Sequence, residues 1–258
     1  MTMPPLFLVV LGVFGLMVGS FLNVCISRIP EDESVVTPRS RCPNCKTLIV
    51  WYDNIPVVSY LVLGGKCRNC RTPISAIYPA VEIVTAIAFV LQGYVIGMDG
   101  ALLAARLVFT AMLIVLFGTD LHTMRLPNVI TYPGIVLGLA LSFFLPPGVV
   151  ASVIGAAIGA AIPWLIRFAW FRATGVEAMG LGDVKMLAMI GAFLGWQQVW
   201  VTLFMASVTG AIVGIALLRG GGRMMSARLP FGTFLAVAAF AASLVGDALI
   251  SWYLGLYA

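Results

Sequence analysis

Apolar residues in this chain come in long unbroken runs, not in the strict alternation of a half-buried strand. Eight runs stand out, at 6–26, 79–97, 101–119, 129–145, 149–170, 184–195, 199–218 and 231–256. A helix needs about 20 consecutive apolar residues to cross the hydrocarbon core of a bilayer. Seven of the runs are of that order. The run at 184–195 is short and is expected to be broken or to span halfway. The pattern predicts an all-α polytopic integral membrane protein with about eight transmembrane helices. The first run lacks a basic stretch before it and a small-residue cleavage site after it, so it is expected to stay as an anchor.

Composition agrees with the pattern. Hydrophobic residues make up 61% of the 258 positions and charged residues 10%, against about 25% charge in soluble domains. The net charge of +5 would suit a nucleic-acid binder, but the placement of the basic residues argues against one. If the N-terminus lies outside, one face collects every Lys and Arg except Arg106. Positive residues stay on the cytoplasmic side, so that face is the cytoplasmic one and the basic excess serves topology and anionic lipid. No nucleic-acid partner is expected.

Against this background two aspartates are conspicuous. Asp120 closes the third run, and Asp183 ends Gly180-Leu181-Gly182-Asp183 just before the sixth. Ionisable groups at membrane depth are costly and mark functional sites. The predicted topology puts both carboxylates at the cytoplasmic face, where they can share a water and a proton, as aspartic proteases require. The competing view is that each caps a helix. Asp183 would serve as an N-cap for residue 184 onward, but Asp120 sits at a helix C-terminus, where the dipole disfavours an anion. Gly180 and Gly182 permit positive φ and close backbone approach, so this turn is expected to hold an extended peptide against Asp183. Two further polar residues are candidate substrate contacts. Lys185 would serve there, or pair with Asp183 or a lipid phosphate. Glu82 would support the site or anchor the preceding loop.

The hydrophilic segment 27–78 is the one long enough to have its own structure. It holds Cys42-Pro43-Asn44-Cys45 and Cys67-Arg68-Asn69-Cys70. Two CxxC pairs at this separation match a four-thiolate zinc site formed by Cys42, Cys45, Cys67 and Cys70. A loop with so little core would depend on such a clip. Disulfides are the alternative, disfavoured by a reducing cytoplasm. The 220–222 glycine triplet lacks the Lys-Ser/Thr ending of a phosphate loop and reads as a linker.

These motifs together resemble the prepilin leader peptidase/N-methyltransferase family of type IV pili and type II secretion. The likeness runs through Gly19-Ser20-Phe21-Leu22-Asn23-Val24, Asp53-Asn54-Ile55-Pro56, both cysteine pairs, Tyr78-Pro79 with Val81-Glu82, Asp120-Leu121, Leu126-Pro127-Asn128 and Gly180-x-Gly182-Asp183-Val184-Lys185. The resemblance implies a membrane aspartic protease of the GxGD type in the bacterial cytoplasmic (inner) membrane, with Asp120 and Asp183 catalytic. Its substrates would be prepilins or pseudopilins, cut after a glycine to release a basic leader. The new N-terminus would then be methylated from S-adenosylmethionine, an activity tied to the cysteine loop. Gly65, just before the third cysteine, is a candidate contact for that donor. The expected organisation is a first transmembrane helix (1–26), a cytoplasmic zinc loop linked to methylation (27–78) and a multi-span peptidase domain (79–258). A proton-coupled transporter using the two aspartates as a relay is the rival from another class; it predicts carboxylates near mid-bilayer.

Overall fold

The computed structural model describes residues 4–176, 179–219 and 230–256. The 220–222 linker, Arg223 and Arg228 lie outside them. The described residues form helices α1 (Pro5–Arg28), α2 (Val58–Val62), α3 (Ile77–Ile96), α4 (Gly100–Thr123), α5 (Asn128–Leu141), α6 (Val149–Thr174), α7 (Leu181–Leu194), α8 (Trp196–Arg219) and α9 (Phe231–Gly255). Each of the eight apolar runs corresponds to one helix, and the short α2 belongs to the cysteine loop.

The all-α membrane architecture is as expected. Six helices among the described residues are long and apolar enough to cross: α1, α3, α4, α6, α8 and α9. Helices α5 and α7 have 14 residues each, about 21 Å at 1.5 Å per residue, well short of a core about 30 Å thick. Helix α7 stops at Gly195, whose φ of +83° turns the chain directly into α8.

Two compact units divide the chain, one ending at Val115 and the other starting at Leu116. In the second unit, α7 is the inner helix. From Asp183 to Leu194 every side chain except that of Lys185 is buried, against α5, α6, α8 and α9. Lipid offers no hydrophobic drive for helix association, so close backbone packing has to supply it. Here Gly155 and Gly159 of α6 lie against the backbone of Gly191 and Leu187 in α7.

In the first unit, α1 packs along α3. A methyl on Gly15 would fall 2.6 Å from Ala86 Cα, and one on Gly19 2.7 Å from Glu82 Cα. The small residues at this spacing are what let the two backbones meet. Asn23 Nδ2 then donates to the Tyr78 carbonyl at 3.0 Å, fixing the point where the cysteine loop returns to the membrane helices. Buried Glu82 completes the anchorage, its Oε2 accepting the Val57 N–H at 2.8 Å. Val57 has φ +59° and ψ −48°, and Val58 N–H bonds back to the Pro56 carbonyl. A β-branched residue in a turn of this kind is strained. The Glu82 carboxylate holds that turn in place, which supports the loop-anchoring one of the two roles expected for it.

Glu82→Ala should therefore release the loop. A hydrogen bond to a charged group is worth about 1.5–3 kcal/mol, so limited proteolysis between residues 40 and 75 should quicken by roughly tenfold or more. An unchanged cleavage rate would show that the anchor lies elsewhere.

Candidate active site and cysteine cluster

Asp120 and Asp183 both lie in the second unit and are both buried. Helix α4 runs three residues past Asp120, so this carboxylate does not end its helix as the apolar run suggested. Its Oδ2 accepts the Thr233 N–H at 2.9 Å, and the Gly232 N–H also faces it. Those amides open α9, which follows Pro230. Asp183 is the third residue of α7 and not its N-cap, a position held by Gly180. Its carboxylate takes the Gly180 N–H, the reach-back half of a capping box. Each carboxylate thus meets backbone amides at the positive end of a helix, where an anion is favoured by about 0.3–2 kcal/mol. The two groups lie close enough to interact electrostatically with each other.

Leu126 is wedged between the helix starts. A methyl on Gly182 would lie 2.9 Å from Leu126 Cβ, and one on Gly232 would lie 3.0 Å from Leu126 Cδ1. Neither Gly180 nor Gly182 has positive φ. Gly182 is required for close approach to Leu126, while a side chain at Gly180 would meet Asp183 Oδ2 at an ordinary 3.5 Å. Lys185 donates from Nζ to Asn128 Oδ1 at 2.7 Å and sits 5.0 Å from the Tyr132 ring centre, tying α7 to the first turns of α5.

The four cysteines converge in the first unit. Cys42 and Cys70 Sγ are 3.7 Å apart, and Cys45 and Cys67 Sγ 4.0 Å. All four sulfurs lie within 4.8 Å of one another, as separate thiols. A tetrahedral ion with metal–sulfur bonds of about 2.3 Å sets its sulfurs roughly 3.8 Å apart, so the donor set fits a metal.

The two knuckles are copies of one another. Cys42 N–H bonds to the Thr47 carbonyl and Cys67 N–H to the Thr72 carbonyl, with Lys46 and Arg71 N–H closing the turns onto Cys42 and Cys67. Lys46 and Arg71 have φ of +58° and +59°. Asn44 Nδ2 donates to Thr72 Oγ1 at 2.8 Å, and Asn69 Nδ2 to Thr47 Oγ1 at 3.0 Å. The hydroxyl and backbone N–H of Thr72 bring the Cys70 thiol down to about 5, and those of Thr47 lower Cys45 in the same way. Low thiol pKa favours the thiolate that a metal requires. Asp53 locks the second knuckle to the intervening segment through two bonds to Arg68, at 2.5 and 2.7 Å. Arg68 holds the Asp53 carboxyl below the usual carboxylate range.

Comparison with known proteins bears on both regions. Residues 13–96 match the model of the bacterial peptidase A24 N-terminal domain, and residues 107–215 match that of the type IV leader peptidase family. A prepilin leader peptidase/N-methyltransferase from Aeromonas hydrophila is 39% identical, covering 98% of this chain and 95% of the relative. The chain belongs to the type IV leader peptidase family. The namesake enzyme of Pseudomonas aeruginosa is 38% identical over 93% of this chain and 91% of its own. That of Myxococcus xanthus is 43% identical over 85% of this chain and 65% of its own. No solved structure matches the chain. The protein is thus a membrane protease of this family that carries a methyltransferase function in the same chain.

For this leader peptidase family member, the sequence reading missed two features. One is the doubled hexad, Cys-Pro-Asn-Cys-Lys-Thr at 42–47 and Cys-Arg-Asn-Cys-Arg-Thr at 67–72. Aligning the two cysteine pairs would have exposed the shared Asn and Thr. The other is the start of α9, whose sequence signal is a glycine two residues after Pro230.

Purified protein should hold one metal ion per chain, and cobalt substitution should give the absorption of a four-thiolate site. Metal-free protein whose loop is as protease-resistant as before would show that the cluster needs no ion.

Proposed function

We propose that this protein removes the basic leader from type IV prepilins and pseudopilins at the cytoplasmic face of the bacterial inner membrane, cutting after a glycine, and then methylates the new N-terminus. The observation carrying this reading is the convergence of Asp120 and Asp183 in one buried site, in a chain whose relatives are prepilin leader peptidase/N-methyltransferases. The two carboxylates are the proposed catalytic residues. Two like charges this close cannot both ionise, so the pair shares one proton and titrates as a unit. The ionised aspartate takes a proton from a water between them, while the protonated one donates to the scissile carbonyl oxygen. Water oxygen bonds to the carbonyl carbon, giving a tetrahedral diol. Its collapse breaks the C–N bond, sends a proton to the leaving amine and restores the shared proton.

Gly180, Gly182 and Lys185 are the proposed substrate-side residues, acting through the backbone at the start of α7 and its tie to α5. Membrane placement follows the six long apolar helices, and the orientation follows the distribution of basic residues.

The ion in the four-cysteine cluster is proposed to be zinc in a structural role, closing the loop and taking no part in peptide cleavage. The methyl group is proposed to come from S-adenosylmethionine. Gly65 keeps its assignment on the methylation side, with a physical qualification: the space beside it is filled. Its φ is +66°, and a methyl there would lie 3.0 Å from the Tyr60 hydroxyl. Gly65 therefore acts by letting Tyr60 settle against the turn.

Asp120→Asn or Asp183→Asn should abolish leader cleavage, read as mass loss from a prepilin, while the protein stays inserted and metal-loaded. Near-normal cleavage by either variant would remove the dyad. For the second activity, Gly65→Asn is the informative change, because Asn tolerates left-handed backbone where Val does not. It should slow methylation of an already cleaved pilin by about tenfold or more through Tyr60 displacement, with cleavage nearly unchanged. Equal loss of both activities in a metal-loaded variant would argue against their separation.

A further inference from the structure

A third element completes the carboxylate pair. Gly232 is the second residue of α9 and has no positive φ, so backbone conformation does not require glycine there. In helical backbone an alanine would ordinarily be preferred. What excludes a side chain is Asp120: a methyl on Gly232 would lie 2.8 Å from Asp120 Oδ2 and 3.0 Å from its Cγ. The bare Cα lets the carboxylate reach the opening amides of α9, where Oδ2 accepts the Thr233 N–H at 2.9 Å. Asp120 and Thr233 are 113 residues apart in sequence, so this contact closes α9 onto the end of α4. The carboxylate cannot lean away without giving up that bond, and Leu126 lies on the same side of Gly232.

We propose that Gly232 is a positioning residue for Asp120: its lack of a side chain seats the carboxylate on the first turn of α9 and thereby aims it at Asp183. This rests on the reading of Asp120 as one member of the catalytic pair. A methyl at position 232 would push Oδ2 off the α9 amides by an appreciable fraction of an ångström. Displacements near 1 Å in a catalytic group cost about 100-fold in rate. The displaced oxygen belongs to the reacting pair and not to the surface that holds the pilin helix, so the loss is expected mainly in kcat.

The test is Gly232→Ala, assayed for prepilin cleavage, with methylation of a pre-cleaved pilin as the check on the rest of the chain. The expected result is a fall in kcat of about 100-fold with KM within a few-fold and methylation retained. Adding Leu126→Ala should not restore kcat, since the carboxylate and not the leucine is the displaced group. Recovery to the level of Leu126→Ala alone would overturn the proposal, as would unaltered kcat in Gly232→Ala. A melting cycle on detergent-solubilised protein tests the contact even if Gly232→Ala folds poorly. The melting loss caused by Gly232→Ala should shrink markedly in an Asp120→Ala background, where only the flexible end of Leu126 still meets the methyl. Additive losses would overturn the contact. These outcomes are separable from the dyad itself: inactive Asp120→Asn with fully active Gly232→Ala sinks the positioning role alone.

Discussion

A carboxylate withdrawn from water into an apolar helix bundle must find other dipoles, because an unpaired buried charge costs several kcal/mol. The second unit is arranged around that constraint. Asp183 stands in the first turn of α7 and takes the Gly180 amide, while Asp120 takes the opening amides of α9. Two helix starts must therefore come together at the end of a third helix. The dipoles assist the charges, and the charges in turn fix where α7 and α9 begin. Leu126 fills the angle between the two starts, which is why a glycine stands at 182, while the Asp120 carboxylate leaves no room for a side chain at 232. Helix α7 is short and surrounded by protein, so the carboxylate it carries rests on an inner element held by backbone-to-backbone packing with α6.

The cysteine loop answers a different problem, that of ordering a segment with almost no core. It does so by repetition. Two knuckles of the same Cys-x-Asn-Cys-x-Thr pattern and hydrogen bonding face each other, each asparagine bracing the opposite threonine. The same threonines lower the thiols of Cys45 and Cys70, so the cross-brace that shapes the cluster also prepares it for a cation. Glu82 and Asn23 fasten this unit to the start of α3.

Much of this was legible in the chain itself. Unbroken apolar runs have one outcome in lipid, so the helices followed. CxxC pairs have few uses at that spacing, so the cluster followed too. Run length was a poorer guide: the run at 129–145 is long enough to span, but its helix ends at Leu141, before the turn that contains Pro146, Pro147 and Gly148. The argument from Asp120 at an unfavourable helix end was incomplete, because its compensating partner comes from a helix more than a hundred residues later, which no local pattern reveals. Glycines 180 and 182 suggested a turn of unusual φ, whereas both have ordinary backbone and Gly182 is explained by Leu126 packing. Glu82 was evenly balanced between two roles until its Val57 contact was seen. Lys185 donates to Asn128, a partner that no local pattern suggested.

The central claim is that the two carboxylates act together on one scissile bond. The most direct measurement is an experimental structure of the protein with a prepilin peptide in which a secondary alcohol replaces the scissile amide. The alcohol oxygen mimics the tetrahedral intermediate and should lie within hydrogen-bond distance of both Asp120 and Asp183, with the basic leader beyond the start of α7. An alcohol bound away from either carboxylate, or bound equally well by Asp120→Asn protein in the same position, would contradict the account.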